Sequence, residues 1–167
     1  MKRILITGMS GTGKSTVIGE LAARGYKAVD LDSDEFSEWM AITDPDPDDF
    51  PVEPDRDWVW REDRVQELLS AEDTDILFVS GTAQNMGKFL PLFDHVILLS
   101  APPAIITERL ATRTNNPYGK DPQEMARVLI LIDTIEPLLR KIATHEVDTS
   151  VHINEVVAGI LGLCLKG

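Results

Sequence analysis

Near the amino terminus, Gly8-Met9-Ser10-Gly11-Thr12-Gly13-Lys14-Ser15 fits the spacing G-x-x-x-x-G-K-[ST]. Glycines at this spacing let the backbone curl until successive N–H groups point into one concavity, which suits an anion. A helix that starts at the lysine adds its positive end to the same point. Gly8, Ser10, Gly11, Thr12, Gly13 and Thr16 therefore read as a phosphate cradle. Lys14 is expected to reach β- and γ-phosphates, and the Ser15 hydroxyl to ligate Mg²⁺. The motif needs a strand before it and a helix after it. Lys2–Thr7 supplies the first and Thr16–Ala23 the second, with Gly25 as a helix stop.

Asp32 and Asp34 follow at the end of a short strand-like run, Tyr26–Leu31. If the chain stays extended there, both carboxylates leave one face. Beside Mg·ATP, one of them would hold the metal, directly or through water, and the other would accept a proton from an attacking hydroxyl. The same stretch also suits a helix N-cap at Ser33 or Asp34. Cations for a transferring phosphoryl group come from Arg109 and Arg113, four apart on one helical face, and from Lys120 in the next loop. A basic loop that closes over the site would also exclude water. Solvated surface charge is the other use of such residues.

The elements that must position these groups alternate. Ile76–Val79 and His95–Ser100 are continuous apolar runs suited to strands buried on both faces. Helices are expected over Trp60–Leu69, Pro103–Arg113 and Asn154–Leu165. A longer one from Pro122 should be kinked or split at Pro137. Residues 35–56, with their Pro/Asp-rich centre, read as irregular, and Glu146–Asp148 as a short last strand. Strands alternating with helices imply a three-layer α/β/α domain around a mainly parallel five-stranded sheet. Ligands in such sheets bind at the carboxyl ends of the strands. We read residues 1–167 as one domain, with an acceptor-binding insert at about 35–64 and a lid at about 114–121.

The chain has 167 residues and one cysteine, which excludes an internal disulfide. No signal peptide and no membrane span are expected, and the chain is expected in the cytoplasm. The net charge of −12 argues against nucleic acid as a partner. From Asp30 to Arg64 there are fourteen acids against three bases, a net −11 that accounts for nearly the whole imbalance. Such a field disfavours a strongly anionic ligand and suits a neutral or cationic one. A solvated acidic loop is the alternative, and Arg56, Arg61 and Arg64 could still form a local phosphate clamp. Three scattered histidines show no metal spacing.

Taken in order, these motifs resemble the P-loop small-molecule and nucleotide kinases, shikimate kinases in particular. Asp32-Ser33-Asp34 is similar to the family's D-x-D, whose first Asp serves Mg²⁺ and whose second meets the acceptor hydroxyl. Trp60-Arg61 is similar to a Phe-Arg pair in which the arginine contacts the acceptor. Arg113-Thr114 resembles an Arg-Thr that packs on adenine, and Lys120 stands at the spacing of the lid arginine. Arg140–Thr144 and Val147-Asp148-Thr149 are similar to the segment leading to the adenine loop. The departures are as informative. Ser80-Gly81-Thr82 replaces a glycine triplet, Arg64 stands where a glutamate is expected, and Ile135 stands where an arginine binds the shikimate carboxylate. An aliphatic side chain cannot pair with a carboxylate.

The resemblance implies an ATP- and Mg²⁺-dependent kinase acting on a small acceptor, as a monomer or homodimer and without membrane or nucleic-acid partners. The acceptor is expected to be a hydroxyl of a neutral or cationic metabolite or nucleoside. Asp32, Asp34, Trp60, Arg61 and Gly81 would hold it, with Trp58 and Trp60 as a stacking face or as core. Arg109, Arg113, Asp148 and Thr149 would hold the nucleotide. A nucleoside monophosphate kinase and a nucleotide-driven switch without an acceptor remain the alternatives.

Overall fold

The apolar runs fold as the central strands of a five-stranded parallel sheet in the computed structural model, which describes residues 1–9, 11–41, 56–112 and 120–165. The strands are β1 (Lys2–Thr7), β2 (Lys27–Asp30), β5 (Ile76–Ser80), β6 (His95–Ser100) and β7 (His145–Asp148), in the order β2-β5-β1-β6-β7. Alternation along each strand divides the core in two. Ile4, Ile6, Phe78, Ile97 and Leu99 face α1 (Lys14–Ala23) and α6 (Ile153–Cys164). Leu5, Leu77, Val79 and Leu98 face α2 (Glu62–Ser70), α5 (Glu136–Ile142) and a 3₁₀ segment, Met86–Leu92. Truncating any of these fully buried side chains to Ala costs about 2–5 kcal/mol.

Register decides what gathers at the carboxyl edge. Asp30 and Ile6 both pair with Ser80, Thr7 pairs with Leu98, and Ser100 pairs with Asp148. Helix α3 (Pro103–Thr112) follows β6 and packs on α4 (Pro122–Thr134) through Ile106, Leu110 and Val128. The helix from Pro122 splits at Ile135, just before Pro137, since a proline amide cannot join the ladder.

The insert departs from the expected irregular coil. Ser37–Ala41 (β3) and Arg56–Trp60 (β4) form an antiparallel hairpin, with Trp39 opposite Trp58 and Ser37 opposite Trp60. Trp60 therefore ends a strand, and α2 begins at Glu62. The hairpin is pinned by the segment that follows β5. Gln84 N–H donates to the Trp58 carbonyl at 3.0 Å. The buried Asn85 amide brackets Trp60, accepting from its N–H at 2.8 Å and donating to its carbonyl at 2.9 Å. Three main-chain groups of β4 are thereby satisfied by a segment next to β5.

Candidate functional site

The turn after β1 requires glycine at its first position. A Cβ on Gly8 would stand 2.6 Å from the Leu99 carbonyl oxygen and 2.8 Å from Thr12 Oγ1. Gly13 takes φ 96° and hands the chain to α1, whose first turn carries no acid. The positive end of α1 thus opens at the turn with no acid of its own in that first helical turn. Thr12 closes the turn by donating to the Met9 carbonyl at 2.7 Å. Lys14 folds across it, its Nζ donating to the Gly8 and Met9 carbonyls at 2.7 and 3.2 Å. Thr82 on the β5 side donates to the Gly8 carbonyl at 2.8 Å and locks the cradle to the sheet.

A cavity of about 500 Å³ opens beside this turn, lined by Gly11, Gly13, Lys14, Ser15, Thr16, Asp30, Asp32, Arg109 and Thr149, among others. Ser15 Oγ donates to Asp30 Oδ2 at 3.0 Å. Asp30 Oδ1 accepts from the Asp32 amide at 2.9 Å and from Ser80 Oγ at 3.3 Å. Two carboxylates and a hydroxyl therefore meet at the lysine end of the cradle. Hard oxygen donors of this kind suit Mg²⁺, which takes one or two carboxylates and leaves its other positions to water and phosphate. No cluster of three acidic, histidine or cysteine ligands occurs among the described residues.

Asp32 is exposed as a residue at the edge of the cavity, yet Lys14, Asp30, Trp58 and Thr82 surround its carboxyl. That crowding strips water from the carboxyl and pushes it up from 3.8 to about 6; Lys14 opposes the shift and Asp30 adds to it. Trp58 Nε1 donates to Asp32 Oδ1 at 3.3 Å.

Arg109 joins the cradle to the end of β7. It donates to the Gly11 carbonyl at 3.2 Å and to Thr149 Oγ1 at 2.9 Å, and also reaches the Thr149 carbonyl. Thr149 is fixed in turn by its amide on the Ser100 carbonyl at 2.8 Å. Asp148 stays outside the cavity lining and accepts from the Ser150 amide at 2.7 Å. That residue's hydroxyl and amide hold the Asp148 carboxyl below its usual range.

Several expected residues stand elsewhere. Strand β2 ends at Asp30 and the chain bends from Leu31 on, so Asp32 and Asp34 do not share one extended face. Asp34 is exposed and outside the cavity lining. The carboxylate brought beside Ser15 is Asp30. Its sequence signal was the same two-residue spacing taken one step earlier, Asp30-Leu31-Asp32. Arg61 pairs with Glu38 at 2.6 Å and donates to the Asp34 carbonyl at 3.0 Å. Trp60 is core, 1% exposed, with its ring 5.6 Å from Phe89. Gly81 lies between Trp60 and Asp32. Lys120 is exposed just before α4 and outside the cavity lining. Ser10, Arg113 and most of the expected lid lie outside the described residues.

Comparison with known proteins bears on the fold. No curated protein matches the sequence. Among solved structures, the chain is similar to a shikimate kinase from Acinetobacter baumannii in complex with shikimate (20% identity, TM-score 0.65, covering 99% of this chain and 93% of that one). It is similar to a gluconokinase from Sinorhizobium meliloti (20%, 0.58, 98% and 94%). It is also similar to a deoxyadenosine kinase from M. mycoides with bound dATP (13%, 0.58, 98% and 100%). The shared feature is the α/β fold of P-loop kinases. The model of one sequence family, described as AAA domain, matches residues 4–130, more than half of the chain, and the protein therefore belongs to the AAA domain family.

Proposed function

We propose that this protein is an ATP- and Mg²⁺-dependent phosphotransferase acting on a hydroxyl of a small neutral or cationic acceptor. One observation carries the reading: Asp30 and Asp32 line the same cavity as the phosphate cradle, with Ser15 bonded to Asp30. A cradle alone would serve any nucleotide-binding protein. Carboxylates facing it serve metal handling and proton removal.

When bound, Mg·ATP supplies the phosphoryl group and charge neutralisation. The loop amides, α1 and Lys14 would hold the phosphates, and Ser15 with Asp30 would hold the cation. Arg109 keeps the cradle joined to the Thr149 segment against which the base would lie. Asp32 accepts the proton of the attacking hydroxyl while that oxygen bonds the γ-phosphorus and the bond to the β–γ bridging oxygen breaks, releasing ADP. A carboxyl near pH 6 is a competent base at neutral pH, being mostly ionised yet more basic than an ordinary aspartate. The role expected of Asp34 thus falls to Asp32 in this proposal, and the metal role to Asp30. Arg113 and Lys120 remain proposed as the cations of the lid. Glu38 supports an uncharged or cationic acceptor, because it neutralises Arg61, the cation expected to meet an acceptor anion.

ATP consumption and product mass against polyols, amino sugars, nucleosides and nucleoside monophosphates test this reading, with Lys14→Ala as control. Acceptor-dependent ADP release with a phosphorylated neutral or cationic product is expected. Hydrolysis that ignores every acceptor, or a preference for nucleoside monophosphates, would contradict it.

A further inference from the structure

All three tryptophans of the chain, Trp39, Trp58 and Trp60, lie on the β3–β4 hairpin. Trp60 is buried, whereas Trp39 is 54% exposed and packs edge-on against Trp58, ring centroids 5.3 Å apart at 61°. Covering the open half of the Trp39 indole would be stabilising. This pair begins where the cavity ends, because Trp58 Nε1 is bonded to Asp32, which lines that cavity. A second observation points to the same place. Trp60 Nε1 is buried and has no hydrogen-bond partner among the described residues. It faces Gly81, where a Cβ would stand 3.1 Å from that nitrogen and 3.3 Å from Asp32 Oδ1. The bare backbone of Gly81 thus separates an unused donor from the proposed base.

We propose that Trp39 and Trp58 form the binding face for the acceptor. The acceptor would be a ring compound without negative charge, laying an apolar ring face on the indoles and directing a hydroxyl at Asp32. This deepens the phosphotransferase reading and rests on it. The geometry follows from the chemistry: the attacking hydroxyl must lie between Asp32 and the cradle, so the rest of the molecule extends toward whatever borders Asp32 on the other side. That border is aromatic. Rings with an apolar face stack on indole, and a positive charge gains further from its π face. Negative charge finds Arg61 already paired and a local field of −11 from Asp30 to Arg64.

Because every tryptophan sits on this hairpin, intrinsic fluorescence reads it directly. The full chain, saturated with ADP and Mg²⁺, is titrated with myo-inositol, D-glucosamine and adenosine, and separately with gluconate, shikimate and AMP. Saturable change with at least one of the first three is expected, stronger than with any of the anions. Affinity should fall about three- to tenfold in Trp39→Ala and be restored in Trp39→Phe, with the loss appearing in the acceptor KM rather than in kcat. No change with any uncharged or cationic ring, preference for an anion, or unaltered affinity in Trp39→Ala overturns the inference. Binding of a fluorescent ADP analogue is measured in the same samples. Its failure would sink the nucleotide reading itself, whereas acceptor failure with ADP bound would sink only the stacking face.

Discussion

The phosphate cradle and the β3–β4 hairpin border the same carboxylate, Asp32, but are made of different material. The cradle is backbone: amides, a helix end and glycines held at conformations or distances that a side chain would break. The hairpin is side chain: Trp39 on Trp58, Trp58 on Asp32, Glu38 on Arg61. A backbone site needs residue types at fixed spacing and so keeps its form wherever a triphosphate is bound. A side-chain site can change with the ligand while the fold stays the same. The chain accordingly shares its fold with a shikimate kinase, a gluconokinase and a deoxyadenosine kinase at 20% identity or less. What distinguishes it should be sought on the hairpin.

The contrast predicts effects of different kind and size. Lys14→Ala strikes the cradle and should lower phosphoryl transfer by about 10³- to 10⁵-fold for every acceptor, the scale of a cation that stabilises this transition state. Asp32→Asn strikes the border and should lower kcat by about 10²- to 10⁴-fold. Wild-type activity should fall toward acidic pH as that carboxylate takes up a proton, and that limb should vanish in the variant. The stability effect has the opposite sign. The folded Asp32 binds its proton more tightly than the unfolded chain does, so wild type loses stability as pH climbs from 3.8 to about 6. Asp32→Asn escapes that loss, so its melting temperature should exceed wild type's at pH 8 by more than at pH 4. An inactive variant that also shows no gain at pH 8 would break the assignment.

Asn85→Ala strikes the support of the hairpin. It leaves the Trp60 N–H and carbonyl without their side-chain partner, and should cost about 1–3 kcal/mol in denaturant unfolding. Acceptor KM should rise while nucleotide affinity holds. The smallest effect belongs to Glu38→Gln. The pair is partly exposed, so stability should move by only about 0–1 kcal/mol. Freed from its partner, Arg61 should improve the binding of anions such as gluconate or shikimate. Weaker binding of these anions in the variant would show that Glu38 does not set the charge preference.

The same contrast explains what could be read in advance. Lys14, Ser15, the parallel sheet and the break before Pro137 follow from spacing and backbone rules, and the sequence states them openly. The aspartate pair was harder, because Asp30, Asp32 and Asp34 occupy alternate positions and offer two pairs of equal spacing. Only the end of β2 at Asp30 decides which pair meets the cradle. The hairpin was hidden by its proline- and aspartate-rich centre. Its flanks did carry a signal in the alternation of Arg56–Trp60 and the aromatic residue within Ser37–Ala41. Asn85 carried none, since its role exists only once β4 lies against the segment after β5.

The most direct test of the shared cavity is calorimetric titration of ATP with and without Mg²⁺ into wild type and Asp30→Asn. Wild type should bind ATP, and Mg²⁺ should tighten that binding. The variant should keep the metal-free affinity and lose the gain from the metal. Absence of ATP binding in wild type, or an undiminished Mg²⁺ effect in Asp30→Asn, would contradict the claim that the carboxylate ending β2 and the cradle form one site.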